Sequence, residues 1–476
     1  MRQERLLPLI IACALFIENM DSTAIATALP AIAADLGTAP IALKLALTTY
    51  LVALAVFIPV SGWIADRYGA RTTFVLAIGV FLLGSIGCAA SVSLPTLVAA
   101  RFVQGMGGAL MVPVGRLVLL RTVPKSELVV ALSWLTIPAL VGPMLGPPLG
   151  GLIVTWFDWR WIFLINIPMG LLGIVLALKY VPNLREPPGA LDWNGFLLSG
   201  LGLALALFGF STVGRHLVPL WVALSCLVLG LAALAAYVRH ALNHPRPLLD
   251  LQLFRLPTFR AGVLGGSLFR IGVGATPFLL PLMLQLGFGL NPLQSGLITF
   301  ASAAGAMFMK TLAATILRRY GFRRVLLFNA LIASALLAGY GLFRADTPHL
   351  FISGVLLLAG CFRSLQFTSL NAISYAEVDA ARMGQASSLA GMMQQLSLSL
   401  GVAIGGYALQ LAAMAGGHAE TAPASFTIAF AVVGLLSATS AWALWRLPAD
   451  AGAEMAGKAK PGGEIAEPKV AQRPAT

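Results

Sequence analysis

Residues 62–71 of the chain read GWIADRYGAR, and residues 314–324 read ATILRRYGFRR. Both stretches contain the triplet Arg-Tyr-Gly, at residues 67–69 and again at 319–321, 252 residues apart. Each copy is a short basic stretch between two long apolar runs. A basic loop repeated at this distance indicates that the chain contains two related halves.

The composition predicts an all-α integral membrane protein. The chain has 476 residues, of which 58% are hydrophobic and only 10% are charged, against about 25% charged in an ordinary soluble domain. Runs such as 74–88 and 220–237 contain no charge, and similar runs recur along the chain. One membrane-spanning helix needs about 20 apolar residues. A single large soluble core would not produce such repeated long runs.

The formal net charge of +13 does not indicate a nucleic-acid partner, because the basic residues are scattered over short loops and not gathered into one patch. The four cysteines lie in apolar runs without a C-x-x-C pair. Neither a disulfide framework nor a cysteine zinc site is therefore expected. We expect no metal and no cofactor.

Hydropathy and Gly/Pro punctuation predict fourteen spans. The first apolar run is too long for a signal peptide and contains acidic residues, so we interpret it as a retained first span. The predicted spans are 6–30, 44–65, 74–91, 95–119, 128–155, 160–181, 194–212, 218–238, 261–287, 292–317, 325–343, 349–373, 384–410 and 425–445.

The distribution of Lys and Arg predicts the orientation in the lipid bilayer. With the N-terminus in the cytoplasm, the predicted inner segments hold 22 Lys and Arg and the outer segments hold four. The four are Lys44, Arg160, Arg215 and Arg344. Cytoplasmic loops carry the excess of basic residues, so both termini are predicted to be cytoplasmic, in a multi-pass protein of the bacterial inner membrane.

The repeat then defines the domain organisation. The first six spans end near residue 181, so a direct repeat would place the second Arg-Tyr-Gly near residue 250. It lies about 65 residues later, which is room for two extra spans. Two six-span halves are the plan of a secondary transporter. We predict six-helix bundles at 1–190 and 241–446, two extra helices at 191–240, and a disordered cytoplasmic tail at 447–476.

The first basic loop resembles the G-x-x-x-D-R-x-G-R-R motif of the major facilitator superfamily, with Ala70 in place of one basic residue. The second copy has Arg318 where the first has its acid. In that family the acid pairs with basic groups and a helix end, and it stabilises one of two access states. Alternatively, the basic loops only orient the chain. The matching residues are Gly62, Asp66, Arg67, Gly69, Arg71, Arg319 and Gly321.

The fifth predicted span contains GPMLGPPLGG at residues 142–151, which looks like the antiporter motif found mainly in exporters of that superfamily. Glycines allow a neighbouring helix to approach closely, and prolines bend a helix. The motif therefore predicts a seal between the two halves, although a generic Gly/Pro-rich helix is the alternative. The matched positions are Gly142, Pro143, Gly146, Pro147, Gly150 and Gly151.

Two further segments resemble the fourteen-span drug:proton antiporters of the superfamily, and the bacterial MdtD-type branch in particular. Residues 21–30, DSTAIATALP, are similar to their D-x-T-x-V-N-x-A-L-P element, with Ala26 in place of Asn. Residues 159–168, WRWIFLINIP, match their sixth span. The likeness runs from about residue 6 to 445. It implies proton-driven export by rocker-switch alternating access, without naming the cargo.

Charged residues inside the spans are candidate functional groups, because each costs about 2.5–3.5 kcal/mol at the helix centre. Glu18 and Asp21 share a helix face. Counting ~1.5 Å per residue places Asp21 and Arg101 at about the same depth, roughly 8–9 Å from the outer boundary. We expect Asp21 to be the proton-coupling acid, Arg101 its partner and Glu18 a second acid. A static ion pair is the alternative. Arg116 and Lys310 lie near span ends and are interpreted as snorkelling.

Arg270 and Arg363 lie near the middle of the membrane by the same count, and the second half has no intramembrane acid. We expect them to bind an anionic cargo such as a carboxylate metabolite. Pairing with the acids of the first span, or with backbone carbonyls, is the alternative. Neighbouring groups that could donate hydrogen bonds to the cargo are Gln285, Gln366, Thr276 and Asn371.

Enzymatic activity is not expected. The chain has neither H-E-x-x-H nor G-x-x-x-x-G-K-[ST], so neither a zincin site nor direct use of ATP is indicated. The partners predicted are protons and a small-molecule cargo. A monomer is expected, and the sequence offers no specific docking feature for an adaptor protein. A proton-coupled uptake symporter and a membrane channel remain as alternative functions.

Overall fold

The computed structural model of the protein describes most of the chain, and all regular secondary structure in the described part is helical. The predicted tail is described only as far as residue 452, so that prediction lies largely outside the described residues. The described residues are 2–123, 128–187, 189–213, 218–379, 382–417, 419, 421–448 and 450–452.

Within these residues, 13 helices are long and apolar enough to cross a membrane. A further helix, α5 (Leu128–Trp156), lies at the position of the fifth predicted span; the count of fourteen crossings stays a prediction. The 13 are α1 Arg2–Asp35, α2 Pro40–Tyr68, α3 Ala70–Ala89, α4 Leu94–Thr122, α6 Trp161–Tyr180, α7 Trp193–Thr212, α8 Leu220–Asn243, α9 Pro257–Gly287, α10 Pro292–Tyr320, α11 Phe322–Leu342, α12 His349–Ser374, α13 Met383–Gly416 and α14 Pro423–Trp445.

Local sequence features explain where some helices begin and where their regular hydrogen bonding is interrupted. A capping box of Asn291 and Gln294, with Pro292 at the first helical position, begins α10. A 3₁₀ turn interrupts α2 at Ile58–Val60, where Pro59 removes a backbone donor. A π turn opens the apolar part of α9 at Ala261–Gly265. Such π turns are frequent at functional sites.

The repeated Arg-Tyr-Gly loops have the same backbone conformation. Gly69 ends α2 with φ 96° and ψ 140°, and Gly321 ends α10 with φ 79° and ψ 159°. Glycine is the residue that adopts positive φ at no steric cost. In each case the next helix begins directly after the glycine. The two loops are therefore structural equivalents, as the repeat in the sequence predicts.

The helices pack into bundles that meet along two seams. Within the first half α1 packs on α5 and α3 on α4, and in the second half α10 packs on α12. Between the halves α5 packs on α10 and α2 on α13. The extra pair α7 and α8 lies beside α2, while α8 is largely exposed. The Tyr407 hydroxyl of α13 donates to the backbone oxygens of Phe210 and Val213, at the end of α7.

Candidate functional site

Asp21 is the centre of a buried polar cluster in the first half. Its side chain is fully buried, and Oδ2 accepts a hydrogen bond from Arg101 Nη1 at 2.7 Å. Oδ1 accepts from Gln104 Nε2 at 3.0 Å and from Asn166 Nδ2 at 2.8 Å. Both amides also donate to Ser85 Oγ, at 2.9 and 3.2 Å. Three helices, α3, α4 and α6, thus supply groups that stabilise one buried carboxylate of α1.

The Arg101 guanidinium is held from several directions. Nη1 also donates to Gln104 Oε1 at 2.5 Å, Nε donates to Ala46 O at 3.5 Å, and the guanidinium carbon lies 4.2 Å from the Tyr50 ring centroid. A buried ion pair survives only with such further partners, because removing two charges from water is costly. Glu18 is also buried, with its side chain near the Tyr50 hydroxyl beside Gly108.

The sequence contains the amide partners of Asp21 in recognised motifs, but their role in the cluster was not predicted. Asn166 follows the break between the two segments of α6, Trp161–Leu164 and Asn166–Tyr180. Lys44 was counted in an outer segment, yet its side chain is fully buried. Its Nζ lies 4.0 Å from the centroid of the Tyr407 ring. Lys44 therefore belongs to the α2–α13 seam.

A cavity of about 210 Å³ lies between the two halves, with Arg363 and Lys310 in its wall. Thr23 and Thr27 of α1 line it from the first half, and Thr276 of α9 from the second. None of the described residues that line it is acidic. Its basic side chains come from α10 and α12. Lys310, interpreted from sequence as snorkelling, thus lines the cavity together with Arg363.

Arg270 is placed differently from Arg363. Its side chain is buried, and Nη2 donates to Asn371 Oδ1 at 2.9 Å, while Nη1 donates to Gly262 O at 3.4 Å. The guanidinium carbon lies 5.6 Å from the Phe367 ring centroid. These contacts are all within the second half. Within the described part of the chain, neither arginine forms an ion pair with an acid of α1.

Of the remaining predicted cargo residues, one lines the cavity and the others connect helices to one another. Gln366 accepts from Asn329 Nδ2 at 2.8 Å and donates to Leu326 O at 3.2 Å, so it joins α12 to α11. Gln285 Nε2 of α9 donates to Thr27 O of α1 at 2.9 Å. Gln285 is thus a direct bridge between the halves, and Thr276 alone of the four predicted polar groups lines the cavity.

The Gly/Pro motif of α5 packs its glycines against α1 and exposes its prolines to the cavity. A Cβ at Gly142 would lie 2.9 Å from Phe16 O, one at Gly146 would meet Thr23, and one at Gly150 would lie 2.6 Å from Thr27 Oγ1. These glycines, four residues apart, therefore allow α5 to approach α1 closely. The neighbouring Pro143 and Pro147 line the cavity. One motif thus forms the helix contact and part of the cavity wall.

The last glycine of the motif closes the space between the halves. A Cβ at Gly151 would lie 2.9 Å from Leu293 Cα of α10. The Leu293 amide donates to Thr155 Oγ1 at 3.2 Å. Together with the bridge between Gln285 and Thr27, these contacts join the halves at one end of the bundle. The charge count assigns this end to the outside.

The acid of the first basic loop pairs within its own half. Asp66 Oδ1 accepts from Arg121 Nη1 of α4 at 2.8 Å, and Arg121 Nη2 lies 3.0 Å from Glu186 Oε2. Arg71 Nη1 donates to Leu178 O at 3.5 Å, whereas the side chain of Arg67 is exposed. The loop is thus tied to α4 and to the segment after α6.

Comparison with known proteins agrees with this architecture. The family model described as Major Facilitator Superfamily matches residues 11–402 and again 262–471. The chain belongs to the major facilitator superfamily. It is therefore a transporter, and a multi-pass protein of the inner membrane.

Curated members of the superfamily are similar over most of this chain. A putative multidrug resistance protein MdtD of Citrobacter koseri is 39% identical over 402 residues, 84% of this chain and 85% of that protein. The protein of the same name from Escherichia fergusonii is 40% identical over 405 residues, with the same coverage. These relatives place this member of the superfamily beside the MdtD-type branch, as predicted from the sequence.

Solved structures of other transporters have the same fold. A D-xylose–proton symporter superposes with a TM-score of 0.68 at 15% sequence identity, covering 93% of this chain and 98% of the other. The nucleoside transporter NupG, solved as a point mutant, gives a TM-score of 0.65 at 14% identity, covering 92% and 98%. The described part of this superfamily member therefore shares the fold of these transporters.

Proposed function

We propose that this protein is a proton-driven exporter that exchanges protons for a small organic anion by rocker-switch alternating access. The observation that supports it most is the cavity between the halves, which has two basic side chains, Arg363 and Lys310, and no acidic group among its described lining residues. Curated relatives are named as multidrug resistance proteins, which favours the export direction.

Asp21 is the proposed site of proton binding. Its carboxylate is buried against Arg101, so gain or loss of a proton changes the free energy of the Arg101 contact directly. When the carboxylate is neutral, Arg101 loses its ion pair and the cluster around α1, α4 and α6 is destabilised. Because α1 also lines the cavity through Thr23 and Thr27, this change reaches the cargo site along a single helix.

The charge and size of the cavity define the proposed cargo. Two cations without a neighbouring acid favour an anion and repel a cation. The cavity volume of about 210 Å³ is below the 300–1,000 Å³ typical of sites for drug-sized ligands. A small carboxylate fits these limits. Thr276 lines the same cavity and could donate a hydrogen bond to such a cargo.

The seams between the halves supply the elements for alternating access. The Gly/Pro face of α5 packs against α10 at the end predicted to face outward. At the opposite end, the basic loop holds Asp66 against Arg121 within one half, where a change of partner could accompany rocking. Opening the outer end requires the bridge between Gln285 and Thr27 to break.

The proposal is tested in proteoliposomes that contain a pH dye and carry an imposed pH gradient. Small organic carboxylates, their neutral amides and lipophilic cations are added in turn. We expect carboxylates alone to drive proton movement in the direction opposite to the cargo. Proton entry together with cargo would instead identify a symporter, and a non-saturating current a channel. Proton movement with cations alone would overturn the assignment of an anionic cargo.

Substitution of the two basic residues of the cavity tests their role in cargo binding directly. Arg363→Gln and Lys310→Gln should each raise the concentration of carboxylate needed for half-maximal flux by about 10-fold or more, since a lost charged hydrogen bond costs about 1.5–3 kcal/mol. Arg446→Gln, which removes a basic side chain stacked on Trp442 at the end of α14, is the matched control and should transport normally. Equal defects in all three variants would contradict a cargo role.

A further inference from the structure

Three potential metal ligands meet where the extra helix pair joins the second half. Asp192 precedes α7, His240 lies in the last turn of α8, and His244 follows the end of α8. One ligand atom from each residue lies within 4.8 Å of the other two. Asp192 is buried, and the histidines are half-buried. The transport mechanism proposed above uses none of these three residues.

The spacing of the histidines is that of a helical metal site. His240 and His244 are four residues apart at the end of one helix, so their rings stand on the same face. The ring centroids are 4.9 Å apart with an interplanar angle of 33°. The Asp192 carboxylate reaches this face from the start of the neighbouring helix, with Oδ1 at 2.7 Å from His240 Nε2.

A helix cap explains only part of this arrangement. Asp192 Oδ1 accepts from Gly195 N at 2.8 Å as an N-cap, and Oδ2 accepts from Leu248 N at 3.1 Å. His244 Nδ1 accepts from Arg246 N at 3.2 Å. Nε2 of His244 makes no hydrogen bond to any described residue. Because a neutral ring whose Nδ1 accepts carries its proton on Nε2, metal binding at Nε2 requires this proton to move to Nδ1 and the bond from Arg246 to break. The Asp192 carboxylate caps α7 without any contribution from His244. The cap therefore does not account for the second imidazole, whereas a metal site would use both rings.

We propose that Asp192, His240 and His244 bind one divalent transition-metal ion with the ligand chemistry of Zn²⁺. Two imidazoles and one carboxylate are a common ligand set for Zn²⁺, with bonds of about 2.0–2.2 Å and a fourth position for water. The ion would bind Nε2 of both imidazoles, and the proton of each neutral ring would then be carried on Nδ1. A pocket of about 420 Å³, lined by both histidines, leaves room for the fourth ligand.

The bound ion would fasten three segments together. Asp192 anchors the start of α7, the histidines anchor the end of α8, and Leu248 N of the linker to α9 already donates to Asp192 Oδ2. The metal thus stabilises the junction between the extra pair and the second half. It acts as a structural clamp and does not depend on the identity of the transported cargo.

The test uses the full-length protein, purified with an affinity tag free of histidine and stripped with a chelator. Zn²⁺ is titrated against it calorimetrically, and Co²⁺ is used as a spectroscopic probe. We expect one saturable Zn²⁺ per chain and a rise in the thermal midpoint on binding. The Co²⁺ spectrum should show a four-coordinate site without thiolate charge-transfer bands, which excludes binding by the cysteines.

His244→Ala should weaken Zn²⁺ binding at least about 10–100-fold, because even the loss of an outer hydrogen-bond partner costs that much. His349→Ala, at the exposed start of α12, is the matched control and should bind as the wild type does. His244→Gln replaces His244→Ala if the alanine variant fails to fold. The absence of saturable binding, or equal affinity in the His244 and His349 variants, would overturn the proposal.

Discussion

Asp21 and Arg101 lie on different helices, and their carboxylate and guanidinium groups meet at 2.7 Å with 0% and 1% of the side chains exposed. The other described ion pairs have at least one partner that is more exposed. Both residues are fully buried and hydrogen-bonded to side-chain amides. Protonation of Asp21 would therefore change all of these contacts together. This relationship underlies the predictions on proton coupling.

Arg101→Ala should lower the free energy of unfolding by about 3–5 kcal/mol, because it leaves the Asp21 carboxylate buried without its counter-charge. Arg160→Ala is the control, since Arg160 pairs with Asp35 at 2.9 Å where both are partly exposed and such pairs contribute about 0–1 kcal/mol. Chemical unfolding in mixed micelles measures both. Adding Asp21→Asn should recover part of the Arg101→Ala loss; strict additivity would mean that the two residues are not coupled.

Gly150→Val should destabilise the protein and abolish transport, since a side chain there would collide with the Thr27 hydroxyl and the backbone of α1. Gly354→Val in α12 is the matched substitution, because a Cβ at Gly354 meets nothing within 4 Å. Expression level, thermal midpoint and flux are compared for the two variants. If the valine at 150 is tolerated as well as the valine at 354, close packing of α5 on α1 is not essential.

Arg270→Gln and Arg363→Gln should have different defects. Arg270 is buried and donates to Asn371 Oδ1 and to the oxygen of buried Gly262, so its loss should lower stability by about 1–3 kcal/mol, the cost of leaving a buried acceptor such as Gly262 O unsatisfied. Arg363→Gln should leave stability nearly unchanged and weaken transport of anions. Parallel unfolding and flux assays separate the two results. A stability loss confined to Arg363→Gln would reverse the assignments.

Asp192→Ala should cost about 1 kcal/mol through loss of the N-cap of α7. Burial opposes ionisation of Asp192, but hydrogen bonds from Gly195, His240 and Leu248 outweigh it and hold its pKa below the ordinary value. Stability from a carboxyl with a lowered pKa is present above the unfolded-state value of about 3.9 and is lost as pH falls through the folded-state value. In metal-free buffer, the difference between wild type and Asp192→Ala should therefore shrink below about pH 4. A difference that grows as the pH falls below about 4 would contradict this sign.

The sequence predicted the all-helical membrane fold and the principal ion pair. Charge-free runs indicated the helix positions, the duplicated glycine loop indicated the two halves, and counting residues along α1 and α4 brought Asp21 and Arg101 to one depth. Depth alone does not give the direction in which a side chain points. For this reason the sequence did not indicate that Lys310 lines the cavity, or that Arg270, unlike Arg363, packs within the second half.

Contacts between distant segments were not predictable from one sequence. Asn166 reaches Asp21 across 145 residues because α6 breaks before it, and His240 meets Asp192 because α7 and α8 lie side by side. Neither meeting has a periodic signal in the sequence. Nothing in the sequence indicated that the Lys44 side chain, at the predicted outer end of α2, is fully buried beside the Tyr407 ring.

Proton flux through Asp21→Asn is the most direct measurement. Wild type and variant are reconstituted with a carboxylate gradient and an internal pH dye, with Asp35→Asn at the exposed end of α1 as the control for loss of a carboxylate. We predict that wild type and Asp35→Asn move protons against the cargo, while Asp21→Asn folds but moves none. Proton movement of wild-type size in Asp21→Asn would show that the buried pair is structural and that the coupling site lies elsewhere.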